Sequence, residues 1–388
     1  MKLLAFWQLK LISMRVVTGI LYGFLVAASA MADQTLPEDT NTITTLSPEA
    51  AGELAQRGGD LSLDGLTTLS PEAAKALAQH TGEGYRELSL NGLTTLSDEA
   101  AKALAQHAGY RDLSLGGLTT LSDEAAKALG QHKGPLSLNG LTTLSPEAAG
   151  ELAQQRGDLS LGGLTTLSPE AAKALAQHKG PLVLNGLTTL SPEAAKALAQ
   201  HKGWLLSLNG LTTLSPEAAK ALAEHTGDLS LNGLTTLSDE AARALAEHTG
   251  DLSLGGLTTL SPEAAGELAQ QRGDLSLDGL TTLSDEAAKA LAQHKGWLLS
   301  LNGLTTLSPE AAKALAQHKG GLSLDGLTTL SDEAAKALAE HSGDHLSLSG
   351  LTTLSDEAAK ALAQHKGGEL FLNGLTTISP EAAKVFAE

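Results

Sequence analysis

Along most of this chain one phrase of apolar and polar positions recurs: leucine, one residue, leucine, two polar or glycine residues, leucine, two threonines, leucine, then an alanine-rich run. "LSLDGLTTLSPEAAKALA" from Leu61 to Ala78 is one instance. Fourteen copies, about 23 residues each, start at leucines from Leu61 to Leu370, and a half-copy without the leucine pair, 43–60, precedes them. Alternation at Leu61, Ser62 and Leu63 predicts a short strand with both leucines on one face. Asp64-Gly65 predicts a turn, and Leu66 and Leu69 return to the core around Thr67 and Thr68. Ser70-Pro71-Glu72 predicts a helix start: serine caps, proline suits the first helical position, and the glutamate meets the positive end of the dipole. Where proline is replaced, as in Ser97-Asp98-Glu99, the aspartate serves the same dipole and is placed to pair with Lys102. Helix ends carry His80 or an equivalent, read as a cationic cap, and a glycine such as Gly82, read as a left-handed stop.

A fixed period of this size predicts a solenoid, in which each copy leans on its neighbours and stability is nearly one-dimensional. The phrase resembles the leucine-rich repeat, closest to its cysteine-containing class, over residues 43–388. It departs from that family in placing Leu66, Leu93 and their equivalents where asparagine or cysteine usually stands. A leucine ladder then replaces the polar ladder inside the turn. The resemblance implies an α/β fold, a right-handed, curved parallel solenoid or horseshoe with short strands inside and helices outside, used mostly for protein binding.

The first residues read as an export signal. Lys2, Lys10 and Arg15 precede an uncharged run, 16–32, that ends in Ala28-Ser29-Ala30 and Ala30-Met31-Ala32. The expected organisation is a signal peptide at 1–30, a mature N-terminal segment at 31–42, the half-copy at 43–60 and fourteen repeats at 61–388. An uncleaved anchor is the rival to cleavage, Met14 rivals Met1 as the start, and a truncated C-terminus is a further alternative. Removing the three basic residues of 1–30 takes the formal charge from -18 to -21. Such an acidic chain is a poor match for nucleic acid or anionic lipid and attracts cations or a basic partner. With no cysteine, disulfides and thiolate chemistry are excluded.

Repetition also bears on chemistry. Serine, histidine and acid occur in nearly every copy, with the serines engaged as caps and the histidines at the opposite helix ends, so no single catalytic constellation stands out and no enzyme is expected. The histidine row does not suit a shared metal, because helices pack 8–10 Å apart. On the inner face Asp228, Asp251 and Asp274 begin three adjacent strands; they read as a solvated acidic stripe, with calcium between these carboxylates as the one cofactor the pattern suggests. Tyr85, Tyr110, Trp204 and Trp297 fall in lengthened loops before strands and are either cover for the extra backbone of a loop insertion or candidates for partner anchors along one rim. Phe371, where serine is the rule, marks the last strand as an edge open to homo-association. Paired threonines in every copy resemble ice-binding solenoids in threonine repetition alone. The expected role is a non-catalytic, exported scaffold for an unknown protein partner, with end-to-end self-assembly as the alternative.

Overall fold

The computed structural model describes residues 39–57, 59–79, 87–107 and 112–387. The expected export signal at 1–30, His80, Gly82, Tyr85 and Tyr110 lie outside these residues. Fourteen strands, from β1 (Leu61–Ser62) to β14 (Glu369–Phe371), alternate with α-helices. They form one parallel sheet in chain order. The register places equivalent leucines side by side, Leu61 on Leu88, Leu88 on Leu113, and Leu346 on Leu370. This is an α/β solenoid of the leucine-rich-repeat type, strands on one side and helices on the other. Parallel strands stack at about 4.8 Å while helices need about 8–10 Å, so the stack bends with its strands on the inner side.

The core is a set of leucine and alanine rows. In the copy from β7 (Leu205–Ser207), Leu206, Leu208, Leu211, Ala218, Ala219 and Leu222 are all inaccessible to solvent. The helix Pro216–Leu222 has seven residues, too short to persist alone. It holds because Ser215 caps it, Oγ accepting from the Ala218 amide at 3.1 Å, and because its alanine face lies against the helices on either side.

Three local expectations are corrected. The first concerns the aspartates at the first helical position. Asp123, Asp239 and Asp285 accept from the cap serines of the following copy, Ser145, Ser261 and Ser308, at 2.6–2.8 Å. Asp98 does the same for Ser122 at 2.5 Å. The predicted pairing with a lysine four residues on is absent: among the described residues the ion pairs are Arg243 with Glu267 and Lys366 with Glu340, both between copies. The aspartate thus ties two helix starts together instead of bracing one helix.

The second correction concerns the helix-end glycines. Among the described residues only Gly59 has a left-handed φ, 100°. Gly203 is needed for a different reason: a Cβ there would sit 2.0 Å from the Gly180 carbonyl oxygen of the preceding copy. Glycine at this place permits close stacking of backbones.

The third correction concerns the histidines. Those at positions 107, 132, 178, 201, 225, 248, 294, 318 and 341 are at most 5% exposed. Their rings stack on one another, with centroids 5.6 Å apart for His201 and His225 and 6.3 Å for His225 and His248. Burial holds the imidazoles of His201 and His225 at about 4, with neighbouring histidines adding to the effect. They are neutral at pH 7, so cationic capping is not their role. At the two breaks in the row the buried seat passes to Gln155 and Gln271, while Arg156 and Arg272 are exposed. The arginines therefore take the exposed position that holds lysine in six other copies, such as Lys179 and Lys202, and preserve no cap.

Candidate binding face

Each strand offers the inner face three side chains: the residue before the leucine pair, the one between, and the one after. The residue after is not free. Asn209 Oδ1 accepts from Ser230 Oγ at 2.7 Å and from the Asn232 amide at 2.8 Å, and its amide donates to Ser207 Oγ at 3.1 Å. Asn232 repeats this toward Ser253 and Gly255, and Asp278 toward Ser300 and Asn302. A polar ladder thus exists beside the leucine ladder of Leu66 and Leu93, which is fully buried. It sits two residues earlier than the position at which the family places its asparagine. The ladder starts before the first strand, where Asn41 Oδ1 accepts from Ser62 Oγ and the Asp64 amide. Burial tends to raise the Asp64 carboxyl, but hydrogen bonds from Ser89, the Asn91 amide and Ser62 outweigh it and lower the pKa.

The residue before the leucine pair is partly engaged as well. Strands β8 (Asp228–Ser230), β9 (Leu252–Ser253) and β10 (Leu275–Ser276) are entered through Asp228, Asp251 and Asp274. Asp228 Oδ1 accepts from the Asp251 amide at 3.2 Å, Asp251 Oδ1 from the Asp274 amide at 2.8 Å, and Asp274 Oδ1 from the Leu298 amide at 3.0 Å. One carboxylate oxygen of each is therefore committed to the next copy. Burial raises the Asp274 carboxyl, the Leu298 amide opposes this, and Asp251 and Asp228 add repulsion. Among the described residues no three histidines, aspartates or glutamates are grouped so as to hold a metal ion.

These aspartates line a shallow depression of about 240 Å³, floored by Ser230, Ser253 and Ser276 and closed at its two ends by Leu205 and Leu298. Leu298 opens β11 (Leu298–Ser300) as Leu205 opens β7. Each of these leucines follows a tryptophan. Trp204 is 62% exposed and Trp297 68%. They stand at strands four apart, roughly 19 Å at about 4.8 Å per strand. Trp297 donates its indole N–H to Asp344, across the intervening copy. Trp204 and Trp297 thus precede in the chain the two leucines that close the acidic row, and the Trp297 indole reaches away from that row, toward β13 (His345–Ser347). Phe371 lies elsewhere, half-buried in β14 and edge-on to His345 with centroids 6.0 Å apart.

Sequence reasoning missed that Leu205 and Leu298 close the acidic row. The signal was present: both copies read "GWLL", and both put leucine where the copies between them put aspartate. The threonine pairs are exposed, and Thr212 donates its amide to the Thr188 carbonyl at 3.5 Å, so they run in rows along the edge of the sheet. Among the described residues no helix is long and apolar enough to cross a membrane.

No family model and no curated protein matches this chain. Solved structures do match. An internalin from Listeria monocytogenes is 16% identical over 84% of this chain and 88% of its own, with a TM-score of 0.46. The yeast Rad7 and Elc1 complex contributes a chain 16% identical over 88% of this one and 92% of its own, with a TM-score of 0.40. Both scores are below 0.5, and the architecture stands on the register of the fourteen strands.

Proposed function

We propose that this chain is an exported, non-catalytic scaffold that binds a protein partner through the inner face of β7 to β11. The observation that carries the reading is the depression between Leu205 and Leu298, which Asp228, Asp251 and Asp274 line, with an exposed tryptophan preceding each end leucine in the chain. Large exposed aromatics are the side chains that most often anchor protein interfaces. The partner segment that fits is basic, because three aspartates in a row and a formal charge of -18, or -21 without the three basic residues of 1–30, favour positive ligands. Export rests on the leader at 1–30, and N-terminal sequencing of the mature protein tests it.

Partner capture by cross-linking in the cell envelope tests the binding face. Two variants serve as comparators: Trp204→Ala with Trp297→Ala, and Asp228→Asn with Asp251→Asn and Asp274→Asn. Asparagine keeps the oxygen that accepts from the next copy, as it does in the neighbouring ladder, so the second variant removes charge and leaves the fold. Loss of the same cross-linked species from both variants is the expected result. Undiminished capture by both would remove this face from the proposal. Repeating the experiment with calcium and with chelator tests whether an ion between the aspartates takes part.

A second reading, self-association, draws on a separate observation. Among the described residues, the large apolar side chains that are exposed besides the two tryptophans are Ile378 and Phe386, both in the last copy together with Phe371. Association there makes the mass rise with concentration, and Phe371→Ser abolishes the rise. A constant monomer mass for the unaltered chain ends this reading.

A further inference from the structure

The buried histidines are the largest set of titratable groups that the binding face leaves unused. From His178 to His248 they run through four consecutive copies, with ring centroids 6.1, 5.6 and 6.3 Å apart. A second run has His294 on His318 at 5.7 Å and His341 on His365 at 5.9 Å. Gln155 and Gln271 bound the first run and occupy the same buried seat. His201 Nε2 lies 3.0 Å from the Gly180 carbonyl oxygen of the preceding copy, and Gln271 donates to the Gly250 carbonyl at 2.6 Å. Gln155 donates to the Gly134 carbonyl in the same way. The remaining imidazoles of the first run, His178, His225 and His248, face backbone carbonyls without completing a well-formed hydrogen bond at either ring nitrogen.

Few charges oppose protonation or assist it. Asp228 acts on His248 and favours its charged form. His225 and His178 act on His201, and His248 acts on His225, each disfavouring charge. In the second run His318 acts on His294, and His365, His318 and His345 act on His341. Lys179 and Lys202 follow their histidines in sequence but are exposed.

We propose that this row is an acid-sensitive seam: near neutrality it keeps the copies stacked, and on acidification the block from His178 to His248 opens as a unit bounded by Gln155 and Gln271. Burial places His201 and His225 at about 4 in the folded chain, whereas an unfolded histidine titrates at about 6.5. The unfolded chain therefore binds more protons throughout that window. Stability is complete above about pH 6.5 and falls as the pH drops toward 4. The first proton places a charge about 6 Å from the next ring, so the folded stack resists a second one while the opened chain accepts them all. Opening is then cooperative in protons. The strands β7, β8 and β9 follow directly after His201, His225 and His248, so a partner held on the proposed binding face is released in acid. That consequence rests on the proposed function, but the seam itself does not.

The test follows helix content of the full chain by circular dichroism as the pH is lowered, and the urea midpoint at each pH. His201→Gln with His225→Gln places in two adjacent seats the residue that the chain already uses singly at Gln155 and Gln271, so folding at pH 8 is expected to be unchanged. Its acid midpoint should move down, with about two fewer protons taken up on unfolding by the linkage slope. Gln155→His joins the row and should move the midpoint up. The seam is refuted by an acid midpoint that neither variant moves. If the double glutamine variant does not fold at pH 8, the reverse variant decides: an upward shift supports the seam and no shift overturns it. Loss of partner capture in acid by the wild type, retained by the double variant, ties the seam to the binding face. Release that both proteins show equally breaks that tie and leaves the seam to the midpoint data.

Discussion

A single side chain in this fold works across copies more than within its own. Asn209 shows the point, since two of its three hydrogen bonds reach the next copy and one returns to Ser207. Asn209→Ala leaves the Asn232 amide and two serine hydroxyls without this partner and should cost about 1–2 kcal/mol, the lower part of the range for a lost acceptor because the site is near solvent. Asn209→Asp should cost roughly 0.5 kcal/mol or less, because Asp64, Asp278 and Asp325 already fill equivalent places with the same bonds to the next copy. Urea denaturation of the two variants separates these values, and equal losses would show that the ladder is decorative. The serine caps were legible from the sequence because a cap is local: Ser215 needs only the amide three residues on. The role of His225 was not, because its charge state depends on the copy stacked above and below. A position near a helix C-terminus reads as a cation until its burial is known.

At the level of the element, the helices are short and similar, and the glycines within and after them separate two effects that look alike in sequence. Gly150 lies inside the helix Pro146–Leu152, and a Cβ there would meet nothing closer than Ala174 Cβ at 3.9 Å. Gly150→Ala should therefore stabilise by about 0.5–1 kcal/mol, through helix propensity and a less flexible unfolded chain. Gly203 follows its helix, and its Cβ would come within 2.0 Å of the Gly180 carbonyl oxygen. Gly203→Ala should destabilise, by more than about 1 kcal/mol, since backbone must move to make room. Thermal melts of the pair give opposite signs, and a shared sign would overturn the close-stacking account. The strands and helices themselves were legible because leucine alternation and the Ser-Pro-Glu start repeat in phase. The left-handed glycine stop was misread because Gly203 serves the neighbouring copy's backbone, which no single-copy pattern displays.

For the whole molecule the consequence of identical phasing is that a copy is a removable unit. Leu229 stands on Leu206 on one side and on Leu252 on the other. Deleting residues 229–251 joins Asp228 to Leu252, so the strand that now follows β7 carries the same Asp-Leu-Ser-Leu phrase and meets Leu206 in the same register. Each lost contact with the missing copy is replaced by an equivalent one, and only one copy's share of the collective stability disappears. The shortened chain should fold with the same helix content per residue and melt within about 5 °C of the parent, as a one-dimensional array requires. Deleting only 229–239 is smaller in length and worse in effect. It removes a strand, its turn and a helix start, leaves the rest of the helix Asp239–Leu245 without the strand that precedes it, and interrupts the sheet between β7 and β9. Two separate unfolding transitions, one for each side of the break, are then expected by calorimetry. If both deletions behaved alike, the copies would not be the units of stability, and the acid-sensitive block from His178 to His248 would lose its structural basis as well.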